Sequence, residues 1–226
     1  MKVPIPITCP LCSEKFSLEV TGSNLPKYSR CPKCGAQPYN MWPLGNVVTK
    51  LLLERSRQEL ANGDMTLSIL LSAVAVETEM AHLFFKWRGI DSGKVLANQT
   101  AEDKEQWENK WANMRSIGKR LCELSRFLTN KPFDEFARLN KKLLEPALTG
   151  YNPAASIKDF LQEHLFAKRN DIAHYGKIDF QETDGQKSLS LATALLDLLH
   201  AMDLKRIHAL DEAHKKARDS PVTKEI

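Results

Sequence analysis

The chain has 226 residues, 42% hydrophobic and 27% charged. This composition excludes a disordered or low-complexity protein and leaves room for one ordinary domain with a small companion. The net charge of +4 sits entirely in residues 1–50, where six basic side chains stand against Glu14 and Glu19; residues 51–226 sum to zero. That balance permits contact with nucleic acid without requiring it.

The opening MKVPIPITCPLC reaches a cysteine pair before any signal-peptide core could form. No unbroken run of about 18 apolar residues occurs, so no membrane span is expected, and a cytoplasmic protein is the default. Cys9 and Cys12 form one Cys-x2-Cys knuckle and Cys31 and Cys34 a second, with 18 residues between them. Two such knuckles suit a tetrahedral ion held by four thiolates. Paired disulfides are the rival, disfavoured in a reducing compartment, and a redox dithiol would ordinarily offer one pair only. Zn2+ suits a closed tetrathiolate better than iron. Four thiolates leave no position for water, so the metal is expected to staple a segment too small to fold alone. With FSLEV (16–20) reading as a strand, residues 1–42 are expected to form a small β-rich zinc ribbon. Tyr28, Arg30, Lys33, Tyr39 and Trp42 are candidates for a face that stacks bases and holds phosphate, or for ordinary packing.

Beyond residue 43 the pattern turns helical. Asn46 is expected to cap a helix to about Ala61, and Asp64 a second to about Trp87 whose apolar stripe is Leu67, Leu70, Val74, Ala81 and Phe84. A third is expected over 102–128, with Trp107, Trp111, Met114, Leu121, Leu124 and Leu128. Pro132 opens a shorter one to about Leu144, and Asn152-Pro153 or Ser156 starts the fifth. The last spans about 187–217 with Leu191, Leu195, Leu198 and Met202. Only KIDFQ (177–181) hints at strand alternation, and residues 218–226 are expected to fray. The body, 43–217, is thus predicted to be an all-α bundle with mainly antiparallel neighbours.

Two features carry chemistry. Glu77 falls within the apolar stripe of the second helix, where a carboxylate needs a partner or an escape to water; Arg169 is the cation proposed for it. Glu79 lines up instead with Ser72, Ala75, His82 and Lys86, a more polar face. The stretch AKRNDIAHYG (167–176) places Arg169, Asn170 and His174 near a helix end marked by Gly176. Ile157, Leu161, Leu165, Lys168 and Ile172 make one stripe of that helix. Phe166, Asn170 and Ala173 make a second seam, for which a partner subunit is an economical cover. Arg169 and His174 are five apart, about 140° on an ideal helix. A fraying helix end or a twofold mate could bring such groups to one phosphate. A neutral imidazole can take a proton from a ribose 2′-hydroxyl, worth about 10²–10⁴-fold. A guanidinium can hold the phosphate and stabilise its developing charge. The structural rival is an Asp171–His174 pair at a helix terminus. The other histidines (His82, His164, His200, His208 and His214) show no metal or triad spacing and are expected at the surface or at helix ends, and Cys122 reads as a small core residue.

On these residues the chain resembles HEPN domains: Arg169-Asn170-Asp171-Ile172-Ala173-His174 matches their R-[polar]-x3–5-H motif. LSAVAVETEMAHLF (71–84) is similar to their second long helix with its acidic position. The resemblance implies a helical bundle over about 44–217, dimerising through the motif helix. It also implies a metal-independent endoribonuclease of the kind found in toxins and antiviral defence, leaving 2′,3′-cyclic phosphate and 5′-hydroxyl ends. Arg169 and His174 would be catalytic, Asn170 supporting and Glu77 the orienter of Arg169. Some members of that family only bind or dimerise, so a non-catalytic module with a protein partner or antitoxin is the alternative. A zinc-ribbon DNA-binding regulator is a third.

Overall fold

The computed structural model describes residues 2–8, 15–21, 33, 44–91 and 100–219. The four N-terminal cysteines, the candidates Tyr28, Arg30, Tyr39 and Trp42, and residues 220–226 lie outside the described residues; Lys33 is exposed in a turn. Near the amino terminus β1 (Lys2–Thr8) pairs antiparallel with β2 (Lys15–Thr21), from Lys2 opposite Thr21 to Thr8 opposite Lys15. In sequence, Cys9 and Cys12 fall in the connection between these strands.

The remainder is helical. The order is α1 (Leu44–Ala61), α2 (Met65–Asp91), α3 (Ala101–Asn113), α4 (Ile117–Thr129), α5 (Phe133–Leu139) and α6 (Lys141–Leu144), then α7 (Ile157–Leu161), α8 (Lys168–Tyr175) and α9 (Glu182–Asp219). A 3-10 turn, Glu145–Ala147, follows α6. Local chemistry sets several boundaries. The Leu67 amide donates to Asp64 Oδ1 at 2.8 Å, capping α2 as expected. Asn46 is not a cap, because α1 already runs from Leu44. The helix expected over 102–128 is two helices. Met114 leaves helical geometry (ψ 71°), and Ser116 restarts the chain by accepting from the Lys119 amide at 3.2 Å. Thr100 and Asp103 close a reciprocal capping box on α3. KIDFQ is a connection, not a strand, and α9 begins at Glu182, five residues before the expected start. Gly185 packs closely in its first turn: a Cβ there would lie 2.8 Å from Leu60 Cδ1 and 3.1 Å from Met65 Sδ, so those side-chain ends would have to shift. The absent side chain lets α9 start against the corner between α1 and α2.

Helix α2 packs against α1 on one side and α9 on the other. With α1 it runs antiparallel, but with α9 it runs parallel. Gly185 meets Met65, Trp87 Nε1 donates to Asp203 Oδ1 at 2.6 Å, and Arg206 clasps Asp91 at 2.9 and 3.0 Å. The parallel α2–α9 pair is thus an exception to the mainly antiparallel neighbours expected. The extra crossing is supplied by the chain between α2 and α9. By length and hydropathy, Met65–Arg88 could cross a membrane, yet 56% of that apolar window is buried within the protein.

The core face of α2 is also rotated from the expected stripe. Ile69, Ala73, Val76, Met80, Leu83, Phe84 and Trp87 are buried, whereas Leu67, Leu70, Val74 and Ala81 are half-buried. Small residues explain the choice. Ser68, Ser72, Ala73 and Ala75 let α1 approach closely, and Ser56 Oγ bonds the Ser68 carbonyl (2.9 Å) and the hydroxyls of Ser68 (3.1 Å) and Ser72 (2.8 Å). Satisfied hydroxyls are cheap to bury.

Helices α7 and α8 are joined through a π turn, Gln162–Ala167, into one unbroken helix over 157–175. The adjacent Leu165 and Phe166 of this turn both lie in the core, at 0% and 1% exposure. Phe166 is thus not on an outward seam, as an ideal 3.6-residue period implied. We expect Phe166→Ala to cost about 3–5 kcal/mol of unfolding free energy, read by urea denaturation under circular dichroism. A loss below about 1 kcal/mol would place this ring outside the packed core.

Candidate functional site

Glu77, in the middle of α2, faces Arg169 in the first turn of α8. Arg169 Nη2 donates to Glu77 Oε2 at 3.4 Å, and Nε lies 3.2 Å from Oε1. The second approach is an ion pair without hydrogen-bond alignment, and both of its atoms are buried. Arg169 Nη1 donates to Asn170 Oδ1 at 3.0 Å. The guanidinium is therefore held from two sides. The side chains of Arg169 and Glu77 remain 26% and 20% exposed, so the guanidinium is engaged through all three of its nitrogens and still partly open to solvent. Removing either partner of a half-buried pair leaves an uncompensated charge.

His174 lies one turn beyond. Gly176 ends the helix in the left-handed region (φ 62°), with its amide donating to the Ile172 carbonyl at 3.1 Å and that of Lys177 to the Asp171 carbonyl at 3.3 Å. The imidazole is exposed and lies edge-on to Tyr175, with centroids 6.5 Å apart; Tyr175 itself is 82% exposed. Among the described residues His174 has no hydrogen bond or ion pair, so the proposed Asp171–His174 pair does not form. Of the four predicted residues, the structure thus joins Glu77, Arg169 and Asn170 by direct contact and leaves His174 apart at the helix end, with no hydrogen bond to them. Half-buried Leu70, Val74 and Ala81 flank Glu77 along α2, and exposed Ala173 follows on α8. Among the described residues no cluster of metal-ligating side chains occurs. No family model, curated protein or solved structure matches the chain.

A second polar constellation lies between α1, α2 and α9. Lys86 Nζ reaches both Asp203 oxygens at 2.7 Å, and Thr49 Oγ1 donates to Glu79 Oε2 at 3.0 Å. His82 sits among these groups with a buried, unbonded Nε2. It is neither a surface nor a helix-end histidine, contrary to the sequence expectation. The signal was present in the spacing of Glu79, His82 and Lys86, three and four apart, but that face reads as solvated when it is packed. Burial, with Lys86 beside it, pushes the His82 imidazole down to about 4 against the opposing pull of Asp203. Burial pushes the Glu79 carboxyl up, and the Thr49 hydroxyl opposes this.

These shifts set a dependence of stability on pH. Between about pH 6.5 and 4 the unfolded chain protonates His82 and the folded chain does not. That contribution to stability is complete above about 6.5 and is lost as pH falls towards 4. Glu79 acts oppositely: its folded form retains a proton longer, so stability declines as pH rises above its ordinary range. We expect His82→Gln to reduce the acid-side fall by about 1–3 kcal/mol, with Lys86, Asp203 and Glu79 left in place. The measurement is the unfolding midpoint from pH 7 to 4; superimposable wild-type and variant profiles would contradict the assignment.

Proposed function

We propose that the protein is a metal-independent endoribonuclease of the HEPN type that acts as a homodimer through the helix carrying Arg169 and His174. The observation that carries this reading is the Glu77–Arg169–Asn170 arrangement, which fixes a guanidinium on the same helix that ends, five residues on, in the exposed His174 imidazole. In the reaction, neutral His174 accepts the proton of a ribose 2′-hydroxyl and the 2′-oxygen attacks the adjacent phosphorus. Arg169 stabilises the charge on the phosphate oxygens. The bond to the 5′-oxygen breaks, and that oxygen takes a proton from the imidazolium of the second copy. The products are a 2′,3′-cyclic phosphate and a 5′-hydroxyl. Half-buried Leu70, Val74 and Ala81 around Glu77 support a second copy here, since apolar surface beside a polar site favours being covered.

The N-terminal cysteines belong to the same proposal as a structural tetrathiolate zinc site in residues 1–42, which would bring substrate or a protein partner to the bundle. The second reading is a binding or dimerising module that does not cleave. It is favoured by the engagement of Arg169 with both Glu77 and Asn170, which leaves fewer of its donors for a phosphate.

The test is cleavage of a mixed-sequence RNA in the presence of EDTA. We expect His174→Ala and Arg169→Ala each to lower the rate by at least about 10²-fold while dimer mass by light scattering is retained. Cleavage that persists in His174→Ala overturns the proposed base, and no cleavage by the wild type favours the non-cleaving module. For the ribbon, elemental analysis is expected to find one zinc per chain, lost on Cys31→Ser. A chain without bound metal at the cysteines contradicts that part.

A further inference from the structure

The end of α3, helix α4 and the start of α7 line a half-open pocket of about 670 Å³ that includes none of Glu77, Arg169, Asn170 and His174. Four cations from these three elements line it, Lys110, Lys119, Arg126 and Lys158, against two acids, Glu123 and Asp159. Both acids are already engaged, Asp159 with Lys158 at 2.9 Å and Glu123 with Arg126 at 3.8 Å. Among the described residues Lys110 and Lys119 make no ion pair, so the cavity holds two unmatched positive charges. Gathering like charges on a concave surface is repulsive, and an anion relieves it.

The remaining lining is of a different kind. Met114 is 9% exposed and Cys122 half-buried, and together they give an apolar floor. Asn113 and Gln162 add amides, each able to donate and accept. Apolar floor, a few amides and a cationic rim, in a volume within the range of about 300–1,000 Å³ used by small ligands, match a molecule with a flat polar body and a charged tail. A strand of nucleic acid would instead need a long track. We propose that this cavity binds a phosphorylated small molecule of nucleotide size, with its phosphates at Lys110 and Lys119 and its uncharged part over Met114 and Cys122. This assignment does not rest on the ribonuclease reading.

Cys122 provides the readout. Burial pushes its thiol up, so it alkylates slowly and is sensitive to what lies above it. The full-length protein is treated with N-ethylmaleimide at mildly alkaline pH, with ATP, inorganic pyrophosphate or a short RNA oligonucleotide as probe. Modification is read by mass on the tryptic peptide 121–126, which separates Cys122 from the other cysteines. We expect ATP to slow alkylation saturably, by about tenfold at ten times its dissociation constant, and to bind more tightly than pyrophosphate. The double variant Lys110→Ala/Lys119→Ala is expected to weaken ATP about 10–100-fold with an unchanged thermal melt, since both side chains are exposed. His174→Ala should bind ATP as the wild type does, so failure of the ribonuclease reading leaves this result intact. Absence of saturable protection by ATP, equal affinity for ATP and pyrophosphate, protection by the RNA alone, or full affinity in the double variant would each overturn the proposal.

Discussion

A carboxylate near the centre of the longest apolar stretch needs a cation, and meeting that need joins α8 to α2. Glu77 lies half-buried on α2, and Arg169 reaches it from α8 at 3.2–3.4 Å. The pair ties the helix of the Arg–Asn–His sequence to the most central helix of the bundle. It also leaves the engaged guanidinium partly exposed. A fully buried pair would be inert towards a ligand, and a fully exposed one would hold little order. The intermediate exposure is the physical basis of the proposed chemistry, because pre-positioned charge costs no reorganisation when a phosphate arrives.

The surrounding packing makes that placement possible. Serines and alanines on α2 draw α1 close, and the absent side chain of Gly185 lets α9 begin at the same corner and run parallel to α2. The antiparallel turn-back from α8 to α9 is pinned by Lys168 with Asp184 and by the Ser188 hydroxyl donating to the His164 carbonyl. The π turn at Gln162–Ala167 seats Leu165 and Phe166 together in the core. The turn adds one residue to the count before α8, which changes the rotation at which Arg169 emerges relative to an unbroken 3.6-residue period.

Much of the helical content was legible because its signals are local. Asp64 and Ser156 cap helices as their residue types foretell, and Gly63 and Gly176 end them with positive φ. The pairing of Glu77 with Arg169 was also legible, since an isolated carboxylate in an apolar stripe asks for a cation. What escaped was directional. Helix α2 is apolar almost all round, so its composition does not say which side faces the core, and satisfied serines look polar until their partners are known. The Ser116 cap hid inside a run of helix formers, and the π turn breaks the 3.6-residue count on which the expected Phe166 seam rested. His82 was misplaced for the same reason as the serines: a packed polar face resembles a solvated one.

The account stands on Glu77 acting through Arg169, and a double-mutant cycle on RNA cleavage measures that most directly. Rates are compared for wild type, Glu77→Gln, Arg169→Gln and the double variant. If the carboxylate positions the guanidinium, Glu77→Gln slows the wild type but changes little once Arg169 is gone, a coupling of about 1–3 kcal/mol. Losses that simply add, with no coupling between the two positions, would contradict the account.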